Sequence, residues 1–365
     1  MVRAGLGAGW SCAFANDIDP MKCAVYAKNW GGKSLFEQDI ARLDVEPLAQ
    51  PIDLYWASSP CQDFSLAGKG QGLSGARSGM FMEWARLIGQ AVERGFAPRI
   101  IAFENVTGLM TRNGGRDLRA VLKTLIGLGY RVGALEIDAA RFLPQSRPRL
   151  FIIGVRQGVA LGGLAGNGPT DVFHSEKIKS FVGKLPKDIA QHWIWWTHET
   201  PAPRRTNLRK IVDQTPNTDW LTDADVSRLL SMMSAPSQER VRRARLSGKT
   251  KIGMLYKRGR PNADGSNRQR AEIRFDGLAG CLRTPAGGSS RQTIMFVKGD
   301  DTRARLLSSK EVARLMGLSD RFRMPERYNH AYQVAGDGVA VPIVSYLNRV
   351  LFQPILHAAR HRDVA

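Results

Sequence analysis

The sequence predicts an α/β fold: a doubly wound, mostly parallel sheet joined to a smaller, irregular domain. Three observations predict it. Apolar strand-like runs alternate with helical periods through the first 150 residues, the alternation stops near Arg156, and an irregular, strongly basic stretch follows until helical order resumes at Ser308. A chain of 365 residues also exceeds the usual size of one hydrophobic core, so two structural units are expected.

Ser11 to Ala15 reads as a short buried strand ending at Asn16-Asp17-Ile18-Asp19, and a helical stretch follows through Met21, Ala24, Val25 and Tyr26. Ile52 to Ala57 and Arg99 to Phe103 are two further apolar runs. Between them a helix from about Met80 to Arg94 places Phe81, Trp84, Leu87, Ile88 and Val92 on one face. A helix over about Leu118 to Leu128 leads to two closing strands, Val132 to Ile137 and Leu150 to Val155, joined by the Arg-rich turn Gln145-Ser146-Arg147-Pro148-Arg149. From Arg156 to about residue 300 no regular pattern is expected. The patch Trp193-Ile194-Trp195-Trp196 there reads as core packing, because large aromatics mostly supply buried area. Ser308 and Glu311 have capping-box spacing ahead of Val312, Ala313, Leu315 and Met316, and Val341 to Leu356 is apolar enough to pack back on the first domain.

The formal net charge is +20, of the sign that a polyphosphate attracts. Arg240 to Arg291 carries fourteen Lys or Arg against Asp264, Glu272 and Asp276, and interspersed Ile252, Leu255, Tyr256 and Phe275 favour a folded basic element over a disordered one. Cys12, Cys23, Cys61 and Cys281 show neither CxxC spacing nor a dense framework, so no metal site and no disulfide scaffold are expected. No run reaches the eighteen or so apolar residues of a membrane span, and a cytoplasmic protein is expected.

Ser59-Pro60-Cys61-Gln62-Asp63-Phe64 puts a thiol just beyond a strand's carboxyl end, where an α/β sheet offers side chains to ligands. Cys61 is therefore the candidate nucleophile. Pro60-Cys61-Gln62, Glu104-Asn105-Val106, Gln145-x-Arg147-x-Arg149 and Gly336-x-x-Val339 stand in one order along the chain. Together they resemble the cytosine-C5 DNA methyltransferases over nearly the whole length. The chemistry agrees: a thiolate adding at carbon 6 of cytosine turns carbon 5 into an enamine-like nucleophile.

The resemblance implies that Glu104 neutralises charge developing at N3, that Arg149 touches the flipped cytosine, and that Arg147 helps hold the site and a phosphate. It implies a fold of the S-adenosylmethionine-dependent methyltransferase type, with that compound as methyl donor. Asp17, Ile18, Asp39 and Ile40 would hold its ribose and adenine, and Pro60, Met80, Asp337 and Val339 would line the same pocket. Asp337 stands where the family more often has Asn. The family's first strand and its Phe-x-Gly-x-Gly-Gly turn belong upstream of Arg3, so the native reading frame is expected to extend beyond Met1.

Extruding a base from a duplex calls for an element that closes over it. The Gly-rich segment Ser65 to Gly79 suits such a lid, with Gln62, Ser65, Lys69 and Arg77 as DNA contacts. Residues 1–175 with 327–365 are expected to form the catalytic domain and 176–326 a target-recognition domain, in which Arg283, Thr284, Gly287, Gly288 and Arg291 reach double-stranded DNA. A monomer without membrane attachment is expected, with a cognate restriction endonuclease as a possible partner. Two other readings stay open on sequence alone: a methyltransferase for structured RNA, and a weak or inactive DNA-binding relative.

Overall fold

The structure, a computed structural model, describes residues 1–58, 79–216, 218–261, 267–284 and 291–363. They divide into two compact units. The first comprises Val2–Asp138, Pro148–Ala202 and Ile343–Ala365, and the second comprises Ala139–Arg147 and Pro203–Pro342 with Met1. This division differs from the sequence-based one at residues 176–202, which fall in the first unit, and at Met1, 139–147 and 327–342, which fall in the second.

In chain order the first unit holds α1 (Val2–Leu6), β1 (Ala15–Asp17), α2 (Pro20–Trp30), β2 (Leu35–Glu37), β3 (Leu54–Ser58), α3 (Gly79–Glu93), β4 (Ile100–Val106), α4 (Arg116–Gly127), β5 (Tyr130–Asp138) and β6 (Pro148–Arg156). Two-residue strands β7 (Ala165–Gly166) and β8 (Trp195–Trp196) flank α5 (Glu176–Val182) and α6 (Lys187–Ala190). β1 and β2 form a parallel pair, and a four-stranded sheet runs β3-β4-β6-β5. Within that sheet only β3 and β4 are parallel, whereas β4–β6 and β6–β5 are antiparallel, so the mostly parallel sheet expected from sequence is corrected to a mixed one. The link over residues 139–147 is shorter than the dozen or more residues that a parallel crossover takes, so β6 returns alongside β5 in the opposite direction. The first strand also lies later than expected, at Ala15–Asp17.

β4 is buried on both faces through Asn105, as a central strand should be. α3 covers it with Phe81, Trp84, Leu87 and Ile88, and α4 adds Leu118, Val121, Leu122 and Leu125. The Trp84 ring stacks on Phe103, with centroids 5.7 Å apart. Each such side chain, fully buried, stabilises by about 1.5–3 kcal/mol. Trp196 is wholly buried, and Trp193 and Trp195 pack against the same core, as the patch suggested. Gly133 makes room for it, because a Cβ there would sit 2.2 Å from the Ile194 carbonyl oxygen and 2.5 Å from Trp196 Nε1.

His174, also buried, accepts a hydrogen bond at Nδ1 from the Thr170 N–H at 2.9 Å. Burial, reinforced by His198, pushes its imidazole from the ordinary 6.5 down to about 4. A folded value below the unfolded one means that stability is complete above pH 6.5 and falls as pH drops toward 4. Urea unfolding from pH 4 to 7 is expected to show this decline, at no more than about 1.4 kcal/mol per pH unit for one proton. In His174→Asn the slope should shrink.

The second unit corrects the expectation of an irregular domain. It holds α7 (Leu208–Ile211), α8 (Asp223–Ser231), α9 (Ala235–Leu246), β9 (Lys251–Pro261), β10 (Asn267–Arg274), β11 (Thr293–Lys298), β12 (Asp301–Leu306), α10 (Ser309–Leu315) and α11 (Tyr328–Asp337). The strands form an antiparallel sheet in the order β10-β9-β11-β12. Leu255, Ile273, Met295, Val297 and Ala304 face Val226, Leu229, Val241 and Ala244 of the helices. Charge had masked these strands: β9 buries Met254 and Leu255, but Lys251, Lys257 and Arg258 dilute its apolar pattern.

The capping box at α10 is present, and its Glu311 also forms a fully buried, two-bonded ion pair with Arg305, both N···O distances being 2.7 Å. After α11 the chain continues through α12 (Val341–Leu347), a π-helical turn at Asn348–Phe352 and α13 (Gln353–Asp363). By length and composition Tyr328–Arg360 is apolar enough to cross a membrane, but 67 % of its most apolar window is buried within the protein.

Candidate functional site

In the first unit the site begins at the carboxyl end of β4. Glu104 is 6 % exposed and pairs in register with Ser58, the last residue of β3, on one side and with Phe151 of β6 on the other. Arg149 of β6 lies opposite Val106, two residues along the ladder from Glu104's partner and therefore on Glu104's face. Its Nε stands 3.1 Å from Glu104 Oε1, and its Nη1 donates to the Pro148 carbonyl at 2.9 Å. Asn105 turns the other way, and its Oδ1 accepts the Val106 N–H at 2.8 Å. The strand thus presents a carboxyl group oriented by a guanidinium, a constellation suited to handling a proton on a ligand atom.

Asp17 ends β1 opposite Glu37 of β2, and Asp39 follows β2 by two residues, so both acids occupy the carboxyl end of the parallel pair. Asn16 Nδ2 locks that end by donating to the carbonyls of Phe36, at 3.0 Å, and Gln38, at 2.7 Å. Asp17 Oδ1 accepts from the Asp19 N–H at 3.0 Å, and Asp39 Oδ1 from the Ala41 N–H at 3.0 Å. Ile18 is 55 % exposed, a bare apolar side chain between the acids and α2. Ile40 packs partly against the core, and Met80, in the first turn of α3, is half-buried.

In the second unit Arg147 is 2 % exposed, and its fork is spent on Cys281 Sγ, at 3.3 Å, and on main-chain carbonyls. Nη1 donates to Leu282 O at 2.8 Å, and Nη2 donates to Gly336 O at 2.8 Å and Gly338 O at 2.7 Å. Arg147 is thus a strut that ties its own turn to the Leu282 segment and to the end of α11. Gln145, a residue whose role sequence reasoning missed, acts beside it. Wholly buried, it donates to Leu315 O at 2.6 Å and accepts from the Leu282 N–H at 3.3 Å. The Gln-x-Arg-x-Arg spacing was the signal that could have found it.

Thr284 donates its hydroxyl to Asp337, so a residue expected at the methyl donor is bonded to one expected at DNA. Val339 is buried, Arg283 is exposed, and the half-buried Arg291 holds its guanidinium 5.8 Å from the Tyr328 ring centroid. Gln292 donates its N–H to Tyr332 Oη at 2.8 Å, which fixes the far side of the same segment to α11. A Cβ on Gly336 would lie 2.7 Å from Thr284 N and 2.8 Å from Arg283 C, both backbone atoms. Gly336→Ala is accordingly expected to cost about 1–3 kcal/mol in urea unfolding, by forcing that main chain away. Pro60, Cys61, Gln62, Ser65, Lys69, Arg77, Gly287 and Gly288, with the expected lid up to residue 78, lie outside the described residues.

Comparison with known proteins adds three findings. The family model for C-5 cytosine-specific DNA methylase matches residues 2–353. Type II methyltransferase M.PspPI of Psychrobacter sp. is 37 % identical over 151 residues, 41 % of this chain and 35 % of that protein, and M.HhaI of Haemophilus parahaemolyticus is 24 % identical over 340 residues, 93 % and 86 %. The matches to M.PspPI, M.Eco47II of Escherichia coli and M.BanI of Aneurinibacillus aneurinilyticus span 35 %, 36 % and 38 % of those proteins, little more than a third. A putative DNA modification methyltransferase encoded within an E. coli prophage superposes with a TM-score of 0.54 at 18 % identity, covering 98 % of this chain and 95 % of that one. Dnmt2 methyltransferase of S. pombe gives 0.54 at 16 %, covering 92 % and 89 %. These likenesses establish an α/β fold of the methyltransferase type.

Proposed function

Because the chain belongs to the C-5 cytosine-specific DNA methylase family, we propose that it is a DNA cytosine-C5 methyltransferase of the restriction–modification kind, acting on a cytosine extruded from duplex DNA. The observation that carries this reading is the buried Glu104 carboxyl oriented by Arg149, level with Ser58, three residues before Cys61 in sequence.

The methyl donor is S-adenosylmethionine. Asp17 and Asp39 at one end of a parallel pair, with Ile18 bare beside them, fit the hydroxyls and the flat face of an adenosine. Pro60, Met80, Asp337 and Val339 complete that assignment. When bound, the donor supplies a methyl group made electrophilic by a sulfonium.

The Cys61 thiolate bonds carbon 6 of the cytosine, and the displaced ring electrons move toward N3. Glu104 holds a proton there, Arg149 fixes the Glu104 carboxyl and the base, and carbon 5 becomes nucleophilic. With a methyl group taken up at carbon 5 and its former bonding pair left on the donor's sulfur, loss of the carbon-5 proton to water, departure of the Cys61 thiolate and return of the N3 proton to Glu104 would restore the ring. Catalysis is assigned to residues 1–175 with 327–365, built on a doubly wound sheet, and recognition to 176–326. Gln62, Ser65, Lys69, Arg77, Arg283, Thr284, Gly287, Gly288 and Arg291 are assigned to DNA. The working form is a cytoplasmic monomer, paired in its host with a restriction endonuclease of the same specificity.

Incubation with methyl-labelled S-adenosylmethionine and duplex DNA tests this reading. Label is expected in 5-methylcytosine of the duplex. Label confined to structured RNA, or to neither polymer, would overturn it.

A further inference from the structure

α9 begins at the mouth of a cavity of about 590 Å³ in the second unit, walled by the helix and by β9 and β10. Ser234, Ser237 and Arg240 stand three residues apart, so they share the face of α9 that lines it. The Ser234 hydroxyl makes no capping bond, unlike those of Ser175, Thr222 and Ser308 at their own helices. Ser237 is only 1 % exposed, yet its hydroxyl has no hydrogen-bond partner among the described residues. Arg240 is exposed and reaches a single carbonyl, Ile273 O, at a long 3.5 Å.

Two carboxylates also line the cavity, and both are engaged. Glu272 accepts from the Tyr256 hydroxyl at 2.6 Å, and Asp276 accepts from Arg274 Nε at 2.8 Å and from the Leu278 N–H at 3.2 Å. The groups left with unused capacity are therefore donors: two hydroxyls and a guanidinium, set at the positive end of a twelve-residue helix. An unpartnered hydroxyl on the cavity wall is free to donate to a bound acceptor. We propose that this cavity is an anion site that takes a phosphate group through Ser234, Ser237 and Arg240.

A phosphate of the duplex backbone and a free phosphate ion share this chemistry, and the first source rests on the function proposed above. The test titrates the full chain, Ser234→Ala and Arg240→Gln with inorganic phosphate, following backbone amide shifts of residues 234–240, and with duplex DNA over a salt series. Saturable shifts at those amides, weakened about tenfold in either variant, are expected. If the duplex supplies the phosphate, Arg240→Gln also lowers the slope of log affinity against log salt by about one, and inorganic phosphate competes with DNA. Shifts with an unchanged DNA slope would assign the site to a free phosphate. Amides that stay still in phosphate, with DNA binding identical in all three proteins, would overturn the site. Binding with these dependences but no methyl transfer would sink the proposed function and leave the site standing.

Discussion

Glu104→Gln is expected to slow methyl transfer to duplex DNA by about two to four powers of ten, the usual worth of a positioned acid or base. The amide keeps an acceptor for Arg149 Nε, now 3.1 Å from Glu104 Oε1, but it cannot pass a proton to a ring nitrogen. Because Arg149 then faces a neutral partner, stability should fall by about 1–3 kcal/mol, far too little to explain the lost rate by unfolding. Single-turnover kinetics beside a duplex-binding curve separate the two effects. A rate within threefold of the parent would remove Glu104 from the chemistry.

Glu311→Ala should be the most destabilising single change in the second unit. The Glu311 carboxylate accepts from Arg305 Nη1 and Nη2, each at 2.7 Å, from the Ser308 N–H at 2.7 Å and from the Asp213 N–H at 2.9 Å. Alanine would leave a buried guanidinium and two buried N–H groups without their acceptor. Breaking a buried pair from one side costs about 3–5 kcal/mol, whereas replacing both partners by apolar groups is far milder. Urea unfolding of Glu311→Ala and of the double variant Arg305→Met with Glu311→Leu should therefore rank the single change as the worse. The reverse order would show that the pair contributes little beyond its packing.

What the sequence revealed was what local physics writes into neighbouring residues. The helical period from Phe81 to Val92 became α3, and the apolar run Arg99 to Phe103 became most of the central strand, Ile100–Val106. Ser308 and Glu311 announced their helix start by spacing alone. The bonds of Arg147 were not legible, because Leu282, Gly336 and Gly338 lie 135 to 191 residues away and nothing in its own turn names them. The basic domain was misread for a related reason. Lys and Arg along β9 and β10 diluted the apolar residues, Leu255 and Ile273 among them, that pack in one core with α8 and α9. In the site, Glu104 and Arg149 were singled out by motif order and Asp17 and Asp39 by the resemblance those motifs carry, whereas the Glu104–Arg149 pairing needed the register of β4 on β6.

The central claim is a bond between the Cys61 sulfur and carbon 6 of cytosine. Mixing the protein with S-adenosylmethionine and a duplex containing 5-fluorocytosine tests it most directly, because fluorine cannot leave carbon 5 as a proton does and the adduct cannot resolve. A protein–DNA conjugate that survives denaturation is expected, and none with Cys61→Ser. A conjugate of equal yield in that variant, or no conjugate from a chain that methylates ordinary duplex, would contradict the account.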